Sequence, residues 1–137
     1  MLTKREITLI KKSWSLLKQI DPVITGDVFY SKLFLENHEL RKMFPQDMEG
    51  QYRKIIDMLT LVVARLERLN ELKGEIAELA KKHVTYGVKP HHYNMVGVAL
   101  IWTLQKALGG DWNEETRTAW INCYATLSGT MITAAGK

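Results

Sequence analysis

"KKHVTYGVKPHHY", residues 81–93, places three histidines close together with no cysteine nearby, and it runs from the end of a helical pattern into a proline break. Just upstream, Leu72, Ile76, Leu79, Ala80 and His83 follow an i, i+4, i+7, i+8, i+11 spacing. His83 therefore shares the apolar face of its helix, while Lys81 and Lys82 point elsewhere. An unsatisfied buried polar group costs about 1–3 kcal/mol, so an inward His83 is either a hydrogen-bonded core histidine or a ligand. His91 and His92 follow Pro90 at the start of another helix, where exposure is the simpler reading.

Outward from this stretch the same helical periodicity recurs almost everywhere. Ile7, Ile10, Trp14 and Leu17 mark a first helix; Val28, Phe29, Leu33 and Phe34 mark a second, opened by Asp21 as cap and Pro22 in the first turn. A short segment, ENHELRKMF, stops at Phe44-Pro45, where proline turns the preceding residue away from helical geometry. The next helix is predicted over residues 51–69, with Ile55, Met58, Leu59, Val62 and Leu66 on its buried stripe. Another is predicted over residues 71–86, closed by Gly87 and Pro90. Residues 91–108 align Tyr93, Val96, Leu100 and Leu104; Gly109-Gly110 breaks the chain; a last helix spans residues 113–134. Six or seven helices and no strand predict one all-α domain over residues 1–137, its helices crossing rather than coiling.

Composition narrows the function classes. With 46% hydrophobic and 25% charged residues, nine Gly and three Pro, the chain has the profile of a folded protein. The net charge of +4 comes from 19 Lys and Arg scattered among 15 acids, which argues against nucleic acid as a partner. Cys123 is the single cysteine, so no intrachain disulfide or multi-cysteine metal site exists, and its place between Trp120 and Tyr124 predicts a buried, inert thiol. The apolar run at residues 58–64 is too short to span a bilayer, and MLTKREITLIKKSW lacks the apolar core of a secretory signal. A cytoplasmic location is expected.

Two more polar residues sit among apolar ones. Gln51 lies four before Ile55, and Tyr30 lies between Val28-Phe29 and Leu33-Phe34. Each has an ordinary explanation, a helix-start residue facing solvent for Gln51 and a hydroxyl reaching the surface for Tyr30. Together with His83 they describe an apolar pocket with a few aimed polar groups.

Taken together, these landmarks make the chain resemble the globin family over essentially its whole length. They are Trp14, Phe44 before Pro45, Gln51, His83 followed by YGV, and Trp120 with Tyr124. The segments FYSKLF, QYRKII and KKHVTYGVKPHHYNMVG are similar to bacterial single-domain haemoglobins and to the globin part of flavohaemoglobins; YGVKPHHY through RTAWINCY also resembles neuroglobin. The resemblance implies a globin fold of six to eight helices around a non-covalent haem b. It implies His83 as the proximal iron ligand, Phe44 and Val88 packed on the porphyrin, and Tyr30 and Gln51 bonded to bound O2. Haem is an apolar disc with an anionic edge, so Ile55 suits its face and Lys54, Lys82 or His92 its propionates.

The family pattern is incomplete here. Tyr93 matches a proximal tyrosine that bonds to the iron's histidine, but the register of the accompanying glutamate reads Ala135. These residues carry no Gly-rich nucleotide-binding fingerprint, so turnover as a nitric oxide dioxygenase would need a separate reductase. The first expectation is a protein that binds O2 tightly and reversibly as carrier, store or scavenger, with NO and CO as further ligands and a monomer or homodimer as the assembly. The second is the dioxygenase, the third a gas or redox sensor, and the last a haem-free globin fold. Gln51 stands where neuroglobin has an iron-binding histidine, so ferrous haem is expected to be five-coordinate, with Tyr30 or Lys54 the groups to suspect otherwise.

Overall fold

Local capping signals set the helix starts. In the computed structural model, which describes residues 2–135 apart from the side chains of Asn70 and Ala135, α1 spans Lys4–Leu17. Thr3 caps it, accepting from the Glu6 backbone N–H at 3.0 Å, while Glu6 accepts from the Thr3 N–H at 2.9 Å. Helix α2, Pro22–Glu36, begins as predicted: Asp21 accepts from the Val23 N–H at 2.9 Å and Pro22 occupies the first turn. A 3-10 segment follows at His38–Met43, then α3 at Glu49–Ala64, a second 3-10 segment at Leu66–Leu72, and α4 at Lys73–Thr85. Helix α5 is Pro90–Leu108, and α6 is Glu114–Ala135 after a short 3-10 turn at Gly109–Asp111.

The long helix expected over residues 51–69 ends early. Arg65 leaves helical geometry, Arg68 is non-helical at φ −134°, ψ 39°, and α4 starts at Lys73 rather than at residue 71. Leu66, Leu69 and Leu72 still face the core through this break. An apolar spacing of three residues satisfies a 3-10 turn as well as an α-helix, and for that reason the pattern concealed the change. Of the expected stripe Leu59, Val62 and Leu66 are buried, joined by Ile56 and Val63, while Ile55 and Met58 are half-buried. Val28, placed on the apolar face of α2, is instead 36% exposed.

Two indoles join the first and last helices. Trp14 and Trp120 lie with centroids 5.7 Å apart; Trp14 Nε1 donates to Thr60 Oγ1 at 3.0 Å, and Trp120 Nε1 donates to Ser13 Oγ at 2.8 Å. These bonds let two large side chains be buried without orphaning their N–H groups. Helices α2 and α3 cross at Gly26, where a Cβ would stand 2.5 Å from the Tyr52 backbone. Only glycine permits that approach. Helix α2 packs on α3 and α5, whereas α4 packs mainly on α6. The space between the α2–α3 pair and α4 is not filled by the chain's own contacts.

Candidate cofactor pocket

That space is a cavity of about 1140 Å³, lined by Phe29, Leu33, Leu59, Leu100 and Met131 among other apolar side chains. All of the candidate residues named from the sequence line it. Tyr30 comes from α2; Phe44 from the turn after the first 3-10 segment; Gln51, Lys54 and Ile55 from α3; Lys82 and His83 from α4; Val88 from the turn that follows; and His92 and Tyr93 from α5.

The half-buried imidazole of His83 is oriented by its own helix. Its Nδ1 lies 2.7 Å from the Leu79 carbonyl oxygen, one turn back. A carbonyl can only accept, so Nδ1 carries the proton and Nε2 offers its lone pair to the cavity. The end of α4 is then locked. Gly87, at φ +89°, donates its N–H to the Val84 carbonyl at 3.0 Å, and Val88 donates to the His83 carbonyl at 2.9 Å. This crossed pair of bonds places Val88 beside His83 in the lining.

Tyr93 stands next to His83, rings 21° from parallel and centroids 6.4 Å apart. The resemblance assigns it the hydrogen bond to the histidine, yet Nδ1 is taken by the Leu79 carbonyl. A backbone acceptor one helical turn away needs no second element to position it. Tyr93 is itself held from α6, where Tyr124 Oη donates to its carbonyl at 2.7 Å. The Ala135 side chain, where the proximal carboxylate is missing, lies outside the described residues.

On the other side of the cavity, Tyr30 is 7% exposed and packed edge-on against Phe29 and Phe44, with centroids 4.9 and 5.3 Å away. Among the described residues its hydroxyl has no hydrogen-bond partner, and burial pushes its pKa up to about 12. It therefore remains a protonated donor at any physiological pH. Gln51 is half-buried in the first turn of α3 and lines the same cavity.

The rim is cationic in part. Lys54 and Lys82 are exposed, line the cavity mouth, and make no ion pair among the described residues; Glu78, also in the lining, pairs with Lys81 at 3.8 Å. His92 is buried rather than exposed, because its Nδ1 accepts the Lys89 backbone N–H at 2.8 Å and caps α5. Desolvation, aided by His91, lowers its pKa, so it serves the lining as a neutral group rather than a cation. His91 is exposed.

These residues fit haem. Among the described residues no group of three His, Cys, Asp or Glu could hold a bare metal ion, so a lone imidazole nitrogen in an apolar cleft calls for a metal that brings its other ligands with it. The sequence assigns no role to the Leu79 carbonyl, which is backbone, or to Arg41, which donates to three carbonyls of the Phe44 turn. Neither leaves a spacing signal.

An all-helical fold around an apolar cleft with one free imidazole nitrogen defines the class of helical haem-pocket proteins. The chain belongs to the globin family, whose model, Globin, matches residues 27–131. It is 31% identical over 137 residues to an uncharacterized globin-like protein of Aquifex aeolicus, covering all of this chain and 96% of that one. It is 27% identical to a flavohemoprotein of Vibrio cholerae, over 99% of this chain but only 35% of that longer protein. Among solved structures it is similar to an engineered carbene transferase made from a putative nitric oxide dioxygenase of Rhodothermus marinus. The TM-score there is 0.88 at 24% identity, covering 99% and 94% of the two chains. Globins bind haem and diatomic gases. Among the described residues, no helix is long and apolar enough to cross a membrane.

Proposed function

We propose that this chain binds haem b through His83 and takes up O2 reversibly and tightly. The observation that carries the reading is the Tyr30 hydroxyl: buried in the cavity wall, protonated, and without a protein partner. Among the described residues no protein group accepts from it, so it is free to donate to whatever the cavity holds. Haem, when bound, supplies an iron that takes a diatomic gas. The protein supplies the rest.

His83 Nε2 holds the cofactor while Leu79 fixes the ring's tautomer. Phe44, Ile55 and Val88 give the porphyrin apolar faces, and Lys54 and Lys82 meet its anionic edge. Tyr30 and the Gln51 amide would donate hydrogen bonds to a gas held beside them, and O2, the better acceptor, would gain most from these donors. NO and CO enter the same space, but CO gains little from these donors.

A second reading, conversion of NO to nitrate with a separate reductase, is favoured by the similarity to flavohemoprotein and to the Rhodothermus protein. His83 tips the choice toward reversible uptake. Its Nδ1 meets a neutral carbonyl rather than a carboxylate, so the ring pushes less electron density onto a metal.

The decisive experiment is to add haemin to the purified protein and record the spectrum and O2 dissociation. A Soret band, a five-coordinate ferrous form and slow O2 release are expected. No Soret band overturns the haem reading; rapid consumption of NO by the oxygenated protein, with re-reduction by a cellular reductase, favours the dioxygenase.

A further inference from the structure

Tyr30 is the one described residue that lines two separate cavities. Beyond its ring, away from the main cavity, lies an open surface pocket of about 400 Å³ walled by Ser31, Phe34, Met48 and Tyr52. Tyr30 is the wall the two share, and it is packed among aromatic rings. Tyr30 touches Phe44, which faces the main cavity, with centroids 5.3 Å apart; Phe44 in turn touches Phe34, which faces the outer pocket, also at 5.3 Å.

Tyr30 and Phe34 are fixed on α2, but Phe44 is carried by an irregular turn. One side chain pins that turn. Arg41 Nη1 donates to the carbonyls of Phe44 at 3.3 Å and Pro45 at 2.9 Å, and Nη2 donates to the Gln46 carbonyl at 3.0 Å. Its guanidinium also lies 5.5 Å from the Phe34 ring centroid, so the same residue holds both Phe44 and Phe34 in place. Bonds from a charged donor to three successive carbonyls are a strong local restraint.

We propose that diatomic gases reach the main cavity through this outer pocket, past Tyr30, with Arg41 as the latch that keeps the Phe44 side of the partition closed. The proposal rests on reading the main cavity as the gas site, but it concerns the route and not the site. A partition sets only the height of a barrier, so altering it changes uptake and release by the same factor and leaves affinity unchanged. A residue that touches bound gas does the opposite, changing release and affinity together.

The test uses the haem-loaded protein, with CO rebinding after photolysis and O2 displacement by CO as the two rates. Ser31→Trp, at an exposed position, plugs the outer pocket; Arg41→Ala frees the turn. Ser31→Trp is expected to slow association and dissociation alike, by about fivefold or more, with Kd within about twofold of the parent. Arg41→Ala is expected to speed both. An unchanged association rate in Ser31→Trp, or a Kd that moves while association does not, overturns the route.

Xenon gives a readout independent of gas chemistry. Under xenon, the amide signals of Met48 and Tyr52 are expected to shift saturably in the parent and not in Ser31→Trp; no shift in the parent overturns the route. A parent protein that binds neither CO nor O2 refutes the gas-site reading instead, and the xenon result then still decides whether the outer pocket admits a gas.

Discussion

Replacing Tyr30 by Phe removes one hydroxyl from the cavity wall and nothing else. Because that hydroxyl has no protein partner among the described residues, its removal orphans no other group. The gas loses a bond from a neutral donor to a charged acceptor, about 1.5–3 kcal/mol. At 1.4 kcal/mol per decade this is about a tenfold to hundredfold faster O2 release. CO, a poor acceptor, should leave at nearly the parent rate. Stability should hardly change, because the hydroxyl faces the cavity and has no protein partner to lose, so Tyr30→Phe should melt within about 3 °C of the parent. Stopped-flow displacement of O2 by CO gives the rate, and thermal unfolding gives the stability. An O2 off-rate within twofold of the parent, or a Tm lowered by several degrees, would refute the reasoning, the latter by revealing a structural partner for the hydroxyl. The effect should also be flat from pH 6 to 9, since the pKa near 12 keeps the donor proton in place throughout.

His83→Gly should abolish stable haem retention, read as loss of the Soret band after gel filtration, and millimolar imidazole should restore it by filling the vacated position. Gly87→Ala forces a Cβ into φ +89° and should lower stability by about 1–2 kcal/mol in chemical denaturation, with a weakened hold on haem because Val88 and the His83 carbonyl are tied to that turn. His92 has a folded pKa below its ordinary value, so the unfolded chain binds the extra proton first. Stability is therefore lost as pH falls through about 6.5, and His92→Gln should flatten that part of a stability-against-pH profile.

His83, Tyr30 and Gln51 were legible because each is polar at a position where helical spacing calls for an apolar residue. The pattern fails where two geometries share one spacing. Leu66, Leu69 and Leu72 read as a continued helix, and only the backbone reveals the break at Arg68. His92 reads as exposed in sequence yet is buried, because a side chain that caps its own helix from within looks, in sequence, like any loop histidine after proline. The Leu79 carbonyl and the three carbonyls held by Arg41 belong to the main chain, and any residue would supply them. Backbone acceptors are invisible to a reading based on side-chain type.

The arrangement of α4 has a consequence for how the protein is made in a cell. Helix α4 rests on α6 and has little direct purchase on α2 or α3, so a cofactor between them is the packing partner of both sides. Anything bound only by the native chain adds RT ln(1 + [L]/Kd) to its stability, about 2.7 kcal/mol when free cofactor is a hundred times Kd. Newly made chains that miss haem would populate open forms far more often, and those forms are what proteases clear. The amount of this protein should therefore track haem supply even at constant synthesis, making its level a record of iron and porphyrin sufficiency.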